Sequence, residues 1–150
     1  MSIPEAAEPM PERVVRKLLA DDAFSRWLGV EIVEAAPRRS VIRMTVRDEM
    51  VNGFGICHGG ITYALADSAL AFASNAHGSV TVAVENSIGY PAAVRVRDVL
   101  TATAEAESVG RKLGFYRVTV TNQLGVAVAH FRGTVYDTGT THFPQNESSV

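Results

Sequence analysis

Residues 60–75, GITYALADSALAFASN, constrain the fold of this chain more than any other stretch. They read as a helix with almost no polar face. Ile61, Tyr63, Ala64, Leu65, Ala66, Ala69, Leu70, Ala71, Phe72 and Ala73 go all the way round it. A helix apolar on every side needs cover on every side. The rest of the chain offers strands for that cover. Residues 30–35 and 40–47 are extended in pattern, and in the second Ile42, Met44 and Val46 alternate with Val41, Arg43, Thr45 and Arg47. Residues 79–90 are β-rich. Across 100–108, Leu100, Ala102, Ala104 and Ala106 alternate with Thr101, Thr103, Glu105 and Glu107. Residues 115–122 and 126–136 complete the set, with turns at 110–114 and 122–125. Long strands joined by short Gly-bearing turns predict an antiparallel sheet. The expected fold is α+β: a curved antiparallel sheet of about six strands wrapped around one long central helix. The many alanines would let strands approach that helix closely.

Residues 11–20 predict a short N-terminal helix, with Pro11 at its start and Val14, Val15, Leu18 and Leu19 at helical spacing. A further short segment ends at Gly29. Residues 1–10 and 138–150 are polar or proline-bearing and are expected to be loose or flexible. One domain, 11–137, lies between them, without repeat or linker. A chain of 150 residues that is 47% hydrophobic can bury one core. The net charge of −2 carries no bias toward nucleic acid or anionic lipid. Cys57 stands alone, which excludes an internal disulfide and fits a reducing cytosol. The acidic N-terminus lacks the pattern of a signal peptide. The apolar run is broken by Asp67 and falls short of the ~20 residues that span a bilayer. The expectation is a cytoplasmic protein with no membrane or nucleic-acid partner.

Asp67 is the anomaly. Between Glu49 and Glu85 it is the only Asp, Glu, Lys or Arg. A lone carboxylate in apolar surroundings is costly unless something needs it. The plain reading is a structural carboxylate tied to backbone donors or Ser68; the functional one is catalysis. Gly59 and Gly60 stand directly before the helix, where backbone N–H groups lack partners and carry the positive end of the dipole. Such donors can hold a carbonyl oxygen as it gains negative charge; the glycines can also serve only as a tight turn. Asp67 lies seven or eight residues further on, roughly 10–12 Å along the axis at ~1.5 Å per residue. A reacting atom needs both groups at ~3 Å. Within one chain the two cannot serve one site. Two antiparallel copies of the helix, related by a two-fold axis, would bring each helix start to the other's Asp67.

Asn52 and His58 precede the helix in a Gly-rich loop. Asn52 could orient a water or hold a carbonyl, or could simply shape an Asn-Gly turn. His58 could be a general base or could fix the loop. Adjacent Cys57 and His58 point apart and have no third orienting group, so they do not make a nucleophile pair. They also lack the spaced companions of a metal site.

The pattern Asn52-x5-His58-Gly59-Gly60-x6-Asp67, followed by an Ala-rich helix, resembles the motif of hotdog-fold acyl-CoA thioesterases. It is most similar to the phenylacetic-acid-degradation group, the hydroxyphenylacetyl-CoA thioesterases. Residues 100–104, 110–116, 120–122 and 130–133 resemble that family's later strands. The likeness covers about residues 28–136.

The resemblance implies a hotdog fold and hydrolysis of an aryl or arylacetyl-CoA to free acid and coenzyme A. It implies Asp67 as nucleophile or general base, the Gly59 N–H as carbonyl donor and Asn52 as a positioning group. It implies sites formed between subunits of a homodimer, paired into a homotetramer. No metal or redox cofactor is implied, coenzyme A being part of the substrate. The chain departs from the family in one turn: Arg97 stands where Gly is usual, and Pro91 sits slightly early.

Candidate substrate contacts are His58, Gly60, Phe54, Tyr63, Ser68, Asn86, Ser87, Arg111 and Lys112. Arg111 and Lys112, at a hairpin tip, suit the coenzyme A phosphates; the bland alternative is a solvated tip. Asn86 and Ser87 are polar contacts or plain strand residues. Phe54, Ile56, Tyr63 and Leu65 line an acyl group or are plain core or interface. Two other functions compete. An acyl-CoA hydratase would want a His–Asp or His–Glu pair. A non-catalytic acyl-CoA-binding regulator would want a fused partner module, and residues 1–29 are short and not notably basic.

Overall fold

Two short helices lead the chain in the computed structural model, which describes residues 8–144. Helix α1 (Met10–Asp21) has proline in its first turn, where a missing N–H costs nothing. It buries Val14 and Val15. Asp22 then caps α2 (Ala23–Leu28), its Oδ1 accepting the Ser25 N–H at 2.9 Å. Gly29, at φ 80°, stops α2 in the left-handed region.

Strands β1 (Glu31–Ala36) and β2 (Arg39–Thr45) follow, then a single 3-10 turn (Asp48–Met50) and the long helix α3 (Gly59–Asn75). Strands β3 (Ser79–Gly89), β4 (Val99–Val109), β5 (Leu113–Thr121) and β6 (Ala127–Thr141) complete the chain. They form one six-stranded sheet in the order β1-β2-β4-β5-β6-β3, every pair antiparallel. The expected α+β architecture is present, with α3 in the curve of the sheet. β3 therefore lies at the edge opposite β1, and its one neighbour is β6. In that ladder Asn86 stands opposite Gly133.

Alanines allow the close approach of helix and sheet. Ala66, Ala69 and Ala73 of α3 are fully buried, as are Ala102, Ala104 and Ala129 of the strands. Ser40 adds a hydrogen bond from its Oγ to the Ala69 carbonyl at 2.7 Å. Larger side chains fill the remaining space, among them Leu65, Phe72, Ile42, Leu100 and Phe131. Each such burial contributes about 1.5–3 kcal/mol.

Three sequence expectations need correction. Helix α3 is not covered all round: Gly60 and Ala71 are exposed, and Ala64 and Asp67 between them are half-buried. These positions share one face at helical spacing, and their small side chains leave it open. The second concerns the C-terminal tail, set at 138–150. β6 runs on to Thr141, which pairs with Ser79, and Lys17 Nζ donates to the His142 carbonyl at 3.0 Å. These ties are to distant residues, so composition gave no sign of them. Likewise α1 begins at Met10, inside the segment set as loose. The remaining tail assignments, 1–7 and 145–150, lie outside the described residues.

The turn holding Arg97 takes a conformation suited to glycine. Arg97 has φ 71°, with the Asp98 N–H bonded to the Arg95 carbonyl at 3.1 Å. Its own N–H donates to Val46 at 2.8 Å, docking the turn on the end of β2. Among the described residues, no helix is long and apolar enough to cross a membrane.

Candidate active site

Asp67 sits in the middle of the open face of α3. Asn86 reaches it from β3, donating from Nδ2 to Asp67 Oδ1 at 3.0 Å. The same nitrogen donates to Tyr63 Oη at 3.1 Å, one helical turn before Asp67. Burial pushes the Asp67 carboxyl above its ordinary range; the Asn86 hydrogen bond opposes this, and the negative charge of Asp22 adds to it. Tyr63 is held in turn by an edge-to-face contact with Phe131, ring centroids 5.5 Å apart.

Ser68, the next residue, points elsewhere. Its Oγ lies 2.7 Å from Ser25 Oγ on α2, and Ser25 Oγ lies 2.5 Å from Asp22 Oδ2. Asp22 can only accept, so the Ser25 proton goes to Asp22 and the Ser68 proton to Ser25. Both serines are buried. Ser68 thus joins α2 to α3 and makes no hydrogen bond to Asp67.

The start of α3 gathers a second group. His58 is its N-cap: Nδ1 accepts the Gly60 N–H at 2.9 Å. That donor is committed, and so is the acceptor nitrogen of His58. The Gly59 N–H meets no acceptor among the described residues. Tyr90, which sequence reading did not single out, donates from Oη to the Gly59 carbonyl at 2.8 Å. A Cβ at position 59 would lie 3.2 Å from that tyrosine ring, so glycine lets Tyr90 close on the backbone. Cys57 is buried, and that burial pushes its thiol up, away from the thiolate a nucleophile needs.

Asn52 belongs to the loop before the helix. Its Oδ1 accepts N–H groups from Phe54 at 2.9 Å and Ile56 at 3.4 Å. The turn 122–126 repeats the arrangement: Asn122 Oδ1 accepts from Leu124 and Val126, and Gly125 has the same φ of 76° as Gly55. The Asn52 oxygen is therefore a turn-forming group, leaving only its amide N–H groups for other work. Phe54, at the tip, is 90% exposed and no part of the core, while Leu65 is wholly buried.

The other candidates lie away from the carboxylate. Ser87 points to the face of β3 opposite Asn86 and borders a cleft of about 220 Å³ with Glu107 and Arg132. Arg111 and Lys112 border a cleft of about 270 Å³ with Arg38, His77 and Ser74, near the C-terminal end of α3. Among the described residues no three His, Cys, Asp or Glu are grouped to hold a metal. Within one chain, then, hydrogen bonds join Asp67, Asn86 and Tyr63, and separately His58, Gly59, Gly60 and Tyr90. Gly59 and Asp67 stand at different heights on α3, about 12 Å apart at ~1.5 Å per residue.

A six-stranded antiparallel sheet curved around one long helix is the architecture of the hotdog fold. The chain belongs to the thioesterase superfamily, whose family model matches residues 54–129. It is 37% identical over 121 residues to the acyl-coenzyme A thioesterase PaaI of Escherichia coli, spanning 81% of this chain and 86% of that protein. The solved structure of the E. coli PaaI protein, from the phenylacetic acid degradation operon, superposes with a TM-score of 0.86, covering 88% of this chain and 96% of that one. A Streptococcus mutans protein solved bound to acetyl CoA, 28% identical, superposes with a TM-score of 0.72 and covers 75% of this chain and 90% of its own.

Proposed function

We propose that the chain hydrolyses an acyl-CoA thioester, with an aryl or arylacetyl acyl group, to the free acid and coenzyme A. The carrying observation is the Asp67 carboxylate, half-buried on the open face of α3 and held at one oxygen by Asn86. A carboxyl whose pKa burial has raised is a stronger base when ionised, which suits attack on a carbonyl or on water. The E. coli relative, an acyl-coenzyme A thioesterase, and the S. mutans neighbour bound to acetyl CoA support an acyl-CoA substrate.

In this reading the thioester carbonyl points at the Gly59 N–H of a partner subunit. That N–H is free in the chain described and sits at the positive end of α3. Asp67 either attacks the carbonyl carbon or takes a proton from an attacking water. The C–S bond then breaks, and coenzyme A leaves as a thiolate that takes up a proton. The axial gap between Gly59 and Asp67 requires a homodimer with two shared sites. The edge position of β3 supports it, as do Val82 and Val84, 49% and 59% exposed on that strand. Two such dimers form a cytoplasmic homotetramer. The Asn52 amide N–H groups help hold the substrate, and Arg111 and Lys112 meet the coenzyme A phosphates.

The test is thiol release from phenylacetyl-, hydroxyphenylacetyl-, hexanoyl- and acetyl-CoA, with Asp67→Asn and Asn52→Ala beside wild type. Asp67→Asn is expected to fold and to lose turnover, with the aryl substrates preferred by wild type. Full turnover by Asp67→Asn, or no turnover of any substrate by wild type, would refute the mechanism. Oxygen-isotope incorporation into Asp67 in a single turnover separates the nucleophile from the base.

A further inference from the structure

Asn86 is the β3 side chain that reaches Asp67 on α3, and its amide is unusually constrained. Both Nδ2 hydrogens have acceptors, Asp67 Oδ1 at 3.0 Å and Tyr63 Oη at 3.1 Å. Its Oδ1 is buried with no donor. That oxygen packs on Gly133, its partner across the ladder, where even a Cβ would come within 2.8 Å. The reverse orientation of the amide is worse. It would aim two N–H groups at Gly133 and face the carbonyl toward a carboxylate. A buried carbonyl left without a donor is the kind of cost native proteins keep where function needs it.

We propose that Asn86 is a positioning residue, clamping Asp67 Oδ1 against Tyr63 so that Oδ2 is the oxygen that reacts. The inference rests on the catalytic reading of Asp67 given above. It takes Asn86 out of the set of substrate contacts: both its donors are used inside the protein. A carboxylate held at one oxygen cannot rotate to offer either, so its reactive lone pair keeps one direction. Accepting the Asn86 hydrogen also favours the ionised form of Asp67, against its burial and the negative charge of Asp22. Tyr63 acts as the anchor of the amide. Having accepted from Asn86, its hydroxyl keeps its own proton for another acceptor.

The experiment uses the full-length protein and whichever acyl-CoA of the panel wild type turns over fastest. Asn86→Leu removes both donors while keeping the site filled, and Asn86→Asp is isosteric but replaces the donor with an anion. Each is expected to lower kcat about 10- to 100-fold, the scale of a misplaced catalytic group. KM is expected to stay within about twofold. The acid limb of kcat/KM is expected to move to higher pH in both. A rise in KM with kcat retained would mean Asn86 contacts substrate and would overturn the assignment. So would wild-type kcat with an unmoved acid limb. If Asn86→Leu does not fold, Asn86→Asp decides by the same readouts. Asp67→Asn run alongside separates the two claims. Full activity there refutes the role of Asp67 itself, whereas an inactive Asp67→Asn with a wild-type-like Asn86→Leu refutes only the clamp.

Discussion

Replacing Gly133 with alanine tests how closely α3, β3 and β6 are fitted around the site. A Cβ at 133 would lie 2.4 Å from Leu70 Cδ2, 3.2 Å from Leu70 Cδ1 and 2.8 Å from Asn86 Oδ1. Carbon atoms at rest sit about 3.5–4.0 Å apart, so roughly 1 Å or more must open. Leu70 cannot swing clear: both its methyls are already near, and the residue is 1% exposed among packed neighbours. Asn86 can move only by loosening its bonds to Asp67 and Tyr63. Overpacking of this kind costs about 1–3 kcal/mol. Loss of glycine's unfolded-state freedom offsets about 0.4–1 kcal/mol of that. The net expectation for Gly133→Ala is about 1–2 kcal/mol less stability. For a chain of this size that is a fall of roughly 3–6 °C in Tm. Urea unfolding followed by circular dichroism measures it. Pairing the change with Leu70→Ala should cost less than the sum of the singles, because the truncated leucine makes the missing room. A Gly133→Ala protein as stable as wild type, or strictly additive singles, would refute the close-approach reasoning.

Three further outcomes follow from other parts of the molecule. Arg97 holds φ 71°, a region that costs an L-residue about 1–2 kcal/mol and glycine almost nothing. Arg97→Gly should therefore stabilise the protein by about 0.5–1 kcal/mol in the same urea assay, once glycine's greater unfolded freedom is set against it. Ser25→Ala strands the Ser68 proton and one oxygen of Asp22, and should destabilise by about 1–3 kcal/mol; a loss below measurement error would mean the chain of hydroxyls is idle. Asp67 has a pKa raised by burial above its ordinary 3.8, so the folded state binds its proton more tightly than the unfolded one. Wild-type stability from this group is then undiminished below the unfolded value, falls as pH rises toward the folded value, and is level beyond. Asp67→Asn escapes that fall. Its stability advantage should be absent at acid pH and present at neutral pH, and urea midpoints that keep a constant difference across that range would contradict the burial.

The local periodicities were legible because they are properties of neighbours in sequence. Alternation at 100–108 marks β4 and the apolar run at 60–75 marks α3, since side-chain direction repeats every two residues in a strand and every 3.6 in a helix. Asp67 was legible as a charge in the wrong company, and the rise of a helix already set it about 12 Å from Gly59. Arg97 could be singled out because a resembling family carries glycine there; its positive φ gives the reason.

What stayed hidden depends on which strands meet. Asn86 reads as a substrate contact or a plain strand residue until β3 is placed beside β6, opposite Gly133, with Asn86 turned to Asp67. The Asp22–Ser25–Ser68 chain needs α2 to lie on α3, and Tyr90 needs the chain after β3 to return to the start of the helix. Ser87, one residue from Asn86, is turned to the other face of the sheet, and Arg111 and Lys112 lie toward the far end of α3. The helix, the strands and the carboxylate were set by near neighbours along the chain, which fix backbone conformation and local pattern. Tertiary structure alone decided which oxygen of that carboxylate is held and by whom, because such contacts join residues far apart in the chain and exist only once the sheet has closed around the helix.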